Sequence, residues 1–241
     1  MAVVRALATA LFILAIPLAL IGTNVRFLAN EERVYAYSFD HYNATARTGI
    51  ARNELMRAGQ ELRDYFNNDE KLISVQVMQG SREISLFNEK ETQHLRDVKG
   101  VFLFVDHLQE IALVYVMAYV VGVFVWARER PLRRLAIHAL SGGLLTMGVI
   151  ISLSLVALGG FDRAFEQFHH IAFTNDLWLL DPSKDRLIQM FPEGFWFDVT
   201  MFLGALTLAE AALISVASAV HLTVSRRASK HALLPSQQAV H

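Results

Sequence analysis

Four stretches of the chain are apolar without the regular polar interruptions of an amphipathic helix: residues 3–25, 108–127, 135–161 and 199–224. Crossing the hydrocarbon of a bilayer takes about 20 residues of α-helix. All four are long enough, so the pattern predicts four transmembrane helices. The first, ALATALFILAIPLALIGT after Arg5, resembles a signal peptide. Its apolar run exceeds the usual signal core and no A-x-A site follows, so an uncleaved anchor is expected.

The two longer polar segments carry other periodicities. Between residues 45 and 66, Ile50, Leu55, Leu62 and Phe66 recur at near-helical spacing among charges, which predicts an amphipathic helix ending at Asn67-Asn68. Residues 72–78 and 82–87 then alternate apolar with polar around Gln79-Gly80-Ser81, the pattern of a β-hairpin. The run NEKETQHLRDVK over residues 88–99 is rich in helix formers and would set His94 and Asp97 one turn apart. The second polar segment is crowded with Phe161, Phe165, Phe168, Phe173, Trp178, Phe191, Phe195, Trp196 and Phe197. Aromatic rings suit the headgroup level of a bilayer, and part of this segment is expected there. The fold class is therefore an α-helical membrane protein with four transmembrane helices and a small α+β extracytoplasmic cap.

Charge sets the expected orientation. Arg128, Arg130, Arg133 and Arg134 crowd the connection between the second and third helices, and Arg226, Arg227 and Lys230 follow the fourth. Positive charge marks cytoplasmic ends. The organisation this predicts is a first transmembrane helix over residues 1–25, an extracytoplasmic domain over 26–107, and helices two and three with a cytoplasmic arginine-rich turn over 108–161. A second extracytoplasmic segment over 162–198, a fourth helix over 199–225 and a cytoplasmic tail over 226–241 complete it. At 54% hydrophobic, and with a formal net charge of −1, the 241-residue chain offers no basic face for nucleic acid. It has no cysteine, which removes disulfides, thiolate metal sites and a cysteine acyl-enzyme together.

Histidine then becomes the main candidate for proton transfer near neutral pH. His94 in the first polar segment, and adjacent His169 and His170 in the second, are the ones placed to do it. Interfacial histidines satisfied by carbonyls or water are the plain alternative. Neighbouring His169 and His170 make a poor chelate, so neither a metal nor another cofactor is expected. Glu210 lies deep in the fourth helix, where an ionisable group is costly. Its structural explanation is a hydrogen bond to Ser141, Thr146 or Ser152 on the third helix; its functional one is an ion or proton pathway. His138 and His221, near cytoplasmic ends, are expected to snorkel.

The segments FNEKETQHLRDVKGVF (residues 87–102) and FHHIAFTNDLWLLDPSKDRLIQMFPEGFW (residues 168–196) resemble the two signature blocks of the bacterial lipoprotein intramolecular transacylases. The helix order and the sizes of both polar segments resemble that family too. The resemblance implies movement of the sn-2 acyl chain of a diacylglyceryl-modified lipoprotein onto the α-amine of its N-terminal cysteine. The partners it implies are that lipoprotein and the membrane lipids around it, at the outer face of a bacterial plasma membrane.

It also implies a pair of catalytic histidines, one per block. The first is His94. The second aligns as His169, with His170 the alternative one residue away, and Ala172 stands where the family commonly has an aromatic. Asn175 and Trp178 match block positions and are expected to line the groove. Asp97 would fix the His94 tautomer or pair with Arg96 or Lys99, while Asp181 and Asp185 read as turn and helix-cap residues. The rival reading is a non-catalytic membrane subunit that binds a partner or lipid through the same outer domain.

Overall fold

The computed structural model describes residues 2–126 and 131–231, and the chain is mostly helical. In order the elements are α1 (Ala2–Asn30), α2 (Glu32–His41), α3 (Ala44–Thr48), α4 (Arg52–Phe66), β1 (Gln76–Gln79), β2 (Arg82–Ser85), α5 (Glu89–Trp126), α6 (Pro131–Gly159), α7 (Phe161–Ala172), α8 (Arg186–Met190) and α9 (Glu193–His231). Four of them, α1, α5, α6 and α9, are long and apolar enough to cross a membrane. Each extends beyond its apolar run. In α5 the charged turns that carry Glu91 and His94 precede the apolar run expected from Leu108. Arg128 and Arg130 of the arginine-rich turn, and the tail from residue 232, lie outside the described residues.

The contacts divide the chain into two units. One comprises Met1–Gly22, Leu108–Ser152 and Gly204–His241. Small residues allow its helices to approach closely, the usual device where lipid removes the hydrophobic drive for association. A Cβ on Gly142 would fall 2.3 Å from Ile16 Cδ1, and one on Gly143 would fall 2.4 Å from Ser215 Oγ. Ala15, Ala19 and Ala112 pack together nearby in the sequence of α1 and α5, against Tyr115 and Val116. Leucine and valine side chains such as Leu14, Val114, Leu144 and Leu213 face outward, as lipid-facing positions do.

One expectation changes within this unit. His138 does not snorkel: its Nδ1 lies 2.9 Å from the Tyr119 hydroxyl, which also lies 2.9 Å from Thr9 Oγ1. An internal partner satisfies the ring where headgroup water was expected to. The hydroxyls of Ser141, Thr146 and Ser152 each donate to the carbonyl four residues back in α6.

The second unit comprises Thr23–His107 and Leu153–Leu203. Its core joins Tyr35 and Phe39 of α2, Leu55, Ala58, Leu62 and Tyr65 of α4, and Val75, Val77 and Leu86 of the hairpin region to Met190, Phe191 and Phe195. The single helix expected over 45–66 is two. Gly49 ends α3 with φ +68°, a left-handed conformation that favours glycine, and α4 restarts at Arg52. Ile50 in the break is fully buried, so it reads as periodic although it is not helical.

The hairpin is antiparallel with Gln79 opposite Arg82, leaving Gly80-Ser81 as a two-residue loop. Gly80 supplies the positive φ of 64° that such loops need. The ladder is shorter than the alternation suggested, but Ile73, Val75 and Val77 do point inward while Leu72 and Met78 are exposed. The helix expected over 88–99 is the beginning of α5. A reciprocal cap starts it: Asn88 Oδ1 accepts from the Glu91 N–H at 3.0 Å, and Glu91 Oε2 accepts from the Asn88 N–H at 2.8 Å.

Candidate active site

His94 lies in the second turn of α5, 6% exposed, and His169 in the last turn of α7, 7% exposed. Both belong to the second unit, where their ring centroids are 6.2 Å apart. Phe173, the residue after α7, sets its ring 5.2 Å from His94 and 5.6 Å from His169. Phe165, one turn before His169, meets it edge-on at 4.4 Å, and Trp178 lies at 4.9 Å. The two imidazoles thus share an aromatic enclosure. Of the rings in this segment Phe168 is exposed, whereas Phe165, Phe173 and Trp178 surround the histidines and Phe191 and Phe195 fill the core.

The hydrogen bonds assign chemistry to ring nitrogens. His169 Nδ1 lies 2.6 Å from the Phe165 carbonyl oxygen, which can only accept. Nδ1 therefore carries the proton, and a neutral His169 presents its lone pair at Nε2. His94 Nδ1 is buried with no hydrogen-bonding partner among the described residues, so Nε2 is the nitrogen left to meet a substrate.

Burial disfavours the imidazolium form at both positions. It pushes the His94 pKa from 6.5 down to about 4, with His169 and Lys90 acting in the same direction and Asp97 opposing. The His169 pKa is also lowered by burial, with the Phe165 carbonyl opposing. Both rings are neutral near pH 7. An oxyanion support based on a permanently charged second imidazole does not fit this environment.

The remaining candidates divide. Asn175 Nδ2 donates to Asp97 Oδ2 at 2.8 Å, and Arg96 approaches Asp97 Oδ1 at 3.3 Å, so the carboxylate joins α5 to the segment after α7 rather than holding His94 Nδ1. His170 is exposed, 3.8 Å from Glu166 and edge-on to Trp178. Asp181 accepts from the Ser183 N–H and hydroxyl, a turn arrangement that holds its pKa down at about 2. Asp185 occupies the N-cap position of α8, yet its carboxylate accepts from the Asp181 N–H and from Asn88 Nδ2. Among the described residues, no three His, Asp or Glu side chains are grouped to hold a metal ion.

Glu91 was not singled out in the sequence. Its side chain is almost completely buried, and Oε1 accepts the Leu187 N–H at 2.7 Å. The Asn-x-x-Glu spacing at 88–91 is a helix-start signal and was readable, but it announces a cap and not the second bond.

Comparison with known proteins bears on this geometry. The family model described as lipoprotein intramolecular transacylase Lit matches residues 10–196 of the chain. The chain belongs to that family. An uncharacterized protein of Aquifex aeolicus is 24% identical over 216 residues, covering 87% of this chain and 92% of its own length. Among solved structures, the membrane integral lipoprotein intramolecular transacylase Lit from Bacillus cereus matches with a TM-score of 0.77 at 19% identity, over 94% of this chain and 99% of that one. A form of the Bacillus cereus protein with a histidine replaced by arginine matches at 0.72 and 20% identity, over 93% and 94% of the two chains. These likenesses carry the fold. With four apolar helices and membrane-integral relatives, this family member is a multi-pass membrane protein.

Proposed function

We propose that this protein moves the sn-2 acyl chain of a diacylglyceryl-modified lipoprotein to the α-amine of the same molecule's N-terminal cysteine, with His94 and His169 as the catalytic pair. The observation that carries the reading is the meeting of two buried, neutral imidazoles from two separate sequence blocks, 6.2 Å apart among aromatic rings. His170, one residue on, is exposed and outside the enclosure, which favours His169 as the partner. In this reading residues 26–107 and 162–198 lie on the extracytoplasmic side, where the substrate's diacylglyceryl group is anchored in the outer leaflet.

The cysteine amine attacks the sn-2 ester carbonyl, forming the C–N bond. His169 Nε2 takes a proton from that nitrogen as it attacks. His94 donates a hydrogen bond from Nε2–H to the oxyanion, as a neutral imidazole can. The intermediate collapses by breaking the ester C–O bond, and the proton held by His169 passes to the departing glyceryl oxygen. An amide and a free hydroxyl result, water takes no part, and both histidines return to their starting forms. Donor and acceptor are on one molecule, so holding them in attack geometry supplies as much as about 7–11 kcal/mol of the barrier reduction. Trp178, Phe165 and Phe173 hold that geometry and exclude the water that would hydrolyse the ester. Asp97 and Asn175 line and brace the same groove.

Because the product is an isomer of the substrate, intact mass does not register the reaction. The test is fragmentation mass spectrometry of a reporter lipoprotein co-expressed with the chain, which should yield N-acyl-cysteine fragments and a monoacylglyceryl group. A reporter that keeps both acyl chains on glycerol and a free amine, at normal membrane levels of the protein, supports the non-catalytic reading instead.

A further inference from the structure

We propose that Glu91 is a positioning residue for the histidine pair, acting through a polar seam that ties the first turns of α5 to the segment following α7. The proposal rests on the catalytic reading of His94 and His169. Four side chains of α5 and its cap reach across this seam within the second unit. Asn88 Nδ2 donates to Asp185 Oδ1 at 2.8 Å, Lys90 Nζ donates to the Leu179 carbonyl, Glu91 Oε1 accepts the Leu187 N–H at 2.7 Å, and Asp97 Oδ2 accepts from Asn175 at 2.8 Å. His94 sits on the same turns, one turn after Glu91 and one before Asp97. His169 is fixed at the other side of the seam, where Phe173, Asn175 and Trp178 follow it directly.

Glu91 differs from the other members in its burial and in holding backbone groups with both of its oxygens. It is 1% exposed, and both carboxylate oxygens accept backbone N–H groups, one from the start of its own helix and one from Leu187. A backbone bond constrains where the chain runs, whereas the exposed Asp97–Asn175 bond constrains only side chains. Burial raises the Glu91 pKa, with Asp185 acting in the same direction, while the Leu187, Asn88 and Arg186 N–H groups lower it. The site thus bears the cost of a desolvated carboxylate, which neutral backbone donors only partly offset. A simple helix cap does not require that burial. An amide cannot replace this carboxylate, because Gln would turn its NH₂ toward one of two N–H donors.

The distance between the imidazoles and their shared burial depend on this seam, which makes the titration of His94 a direct reading of position. The experiment uses the full-length protein in detergent micelles with ¹³C-labelled histidine, the His94 signal being assigned by its loss in His94→Gln. In Glu91→Gln the His94 midpoint should rise from about 4 toward 6.5, as the ring gains water and moves away from His169. Turnover should fall about 10²-fold with KM nearly unchanged, the effect of misplacing a reacting group by about 1 Å. Glu91→Asp keeps the charge and the cap but shortens the reach to Leu187, and gives a smaller shift in the same direction. It also supplies the measurement if Glu91→Gln does not fold. A His94 midpoint that stays at about 4 in both folded variants overturns the proposal. A raised midpoint with undiminished conversion upholds the positioning and overturns the catalytic reading of the pair.

Discussion

At the scale of single residues, the two imidazoles are set by what surrounds them. His169 owes its tautomer to the carbonyl of Phe165, one turn back in α7, and His94 owes its low proton affinity mainly to burial. If both act on one proton path, His94→Ala and His169→Ala should each slow reporter conversion by roughly 10²- to 10⁴-fold. The double variant should be scarcely worse than either single one, the mark of groups acting as a unit. His170→Ala should change conversion little, and a loss there equal to that in His169→Ala would exchange their roles. Burial of His94 also couples stability to pH. The unfolded chain protonates this ring near 6.5, whereas the folded chain resists until about 4. Between those values the unfolded state binds more protons, so stability falls as pH drops from about 6.5 to 4 and is unaffected by this ring above 6.5. Glu91, whose pKa is raised, works in the opposite direction at the acid end. The comparison that isolates His94 is therefore the slope of unfolding midpoint against pH in the parent and in His94→Gln, which should be flatter. Equal slopes would show that His94 titrates normally.

At the scale of elements, the apolar helices were legible because a bilayer demands length and hydrophobicity together, and among the described residues only these four helices meet both. The break at Gly49 was not, since buried Ile50 continues the apolar rhythm of α4 across a non-helical linker. The histidine pairing came from block resemblance rather than spacing: 74 residues separate His94 from His169, and no local period joins them. The enclosure around them was not legible, because Phe165 and Trp178 are also what a headgroup-level segment would contain. Glu91 was hidden by the same ambiguity, as a glutamate in a charged helical start is usually a solvated one. Glycine positions in α6 carry a sharper structural statement. Gly142 and Gly143 are each pressed against a neighbouring helix, while Gly148 has open space where its Cβ would stand. Gly142→Ala and Gly143→Ala should each cost about 1–3 kcal/mol of overpacking, whereas Gly148→Ala should be neutral or slightly stabilising. Thermal unfolding in detergent reads the difference, and three equal midpoints would contradict the close helix approach described for α6.

At the scale of the whole molecule, the proposed reaction needs His94 and His169 on the side of the membrane where mature lipoproteins are anchored, and only the arginine distribution bears on that. Arg133 and Arg134 open α6, Arg226 and Arg227 lie near the end of α9, and the second polar segment between those helices is predominantly acidic. A bilayer with a negative inner surface holds arginine clusters on its cytoplasmic side, because moving them outward costs hydration and opposes the membrane potential. If each of the four helices crosses once, the expected layout puts both chain ends and the α5–α6 connection on one side and both polar segments on the other. The protein contains no cysteine, so single cysteines report without a background. Ser81→Cys, at the hairpin tip, and Ser183→Cys, in the turn formed by Asp181, should react with an impermeant thiol reagent in intact cells. Arg130→Cys and a cysteine in the tail should react only after the membrane is opened. Labelling at position 130 in intact cells would invert the topology and place His94 and His169 in the cytoplasm, away from any anchored substrate. The fold could then stand unchanged while the transacylase reading failed, so orientation is tested independently of the histidine chemistry.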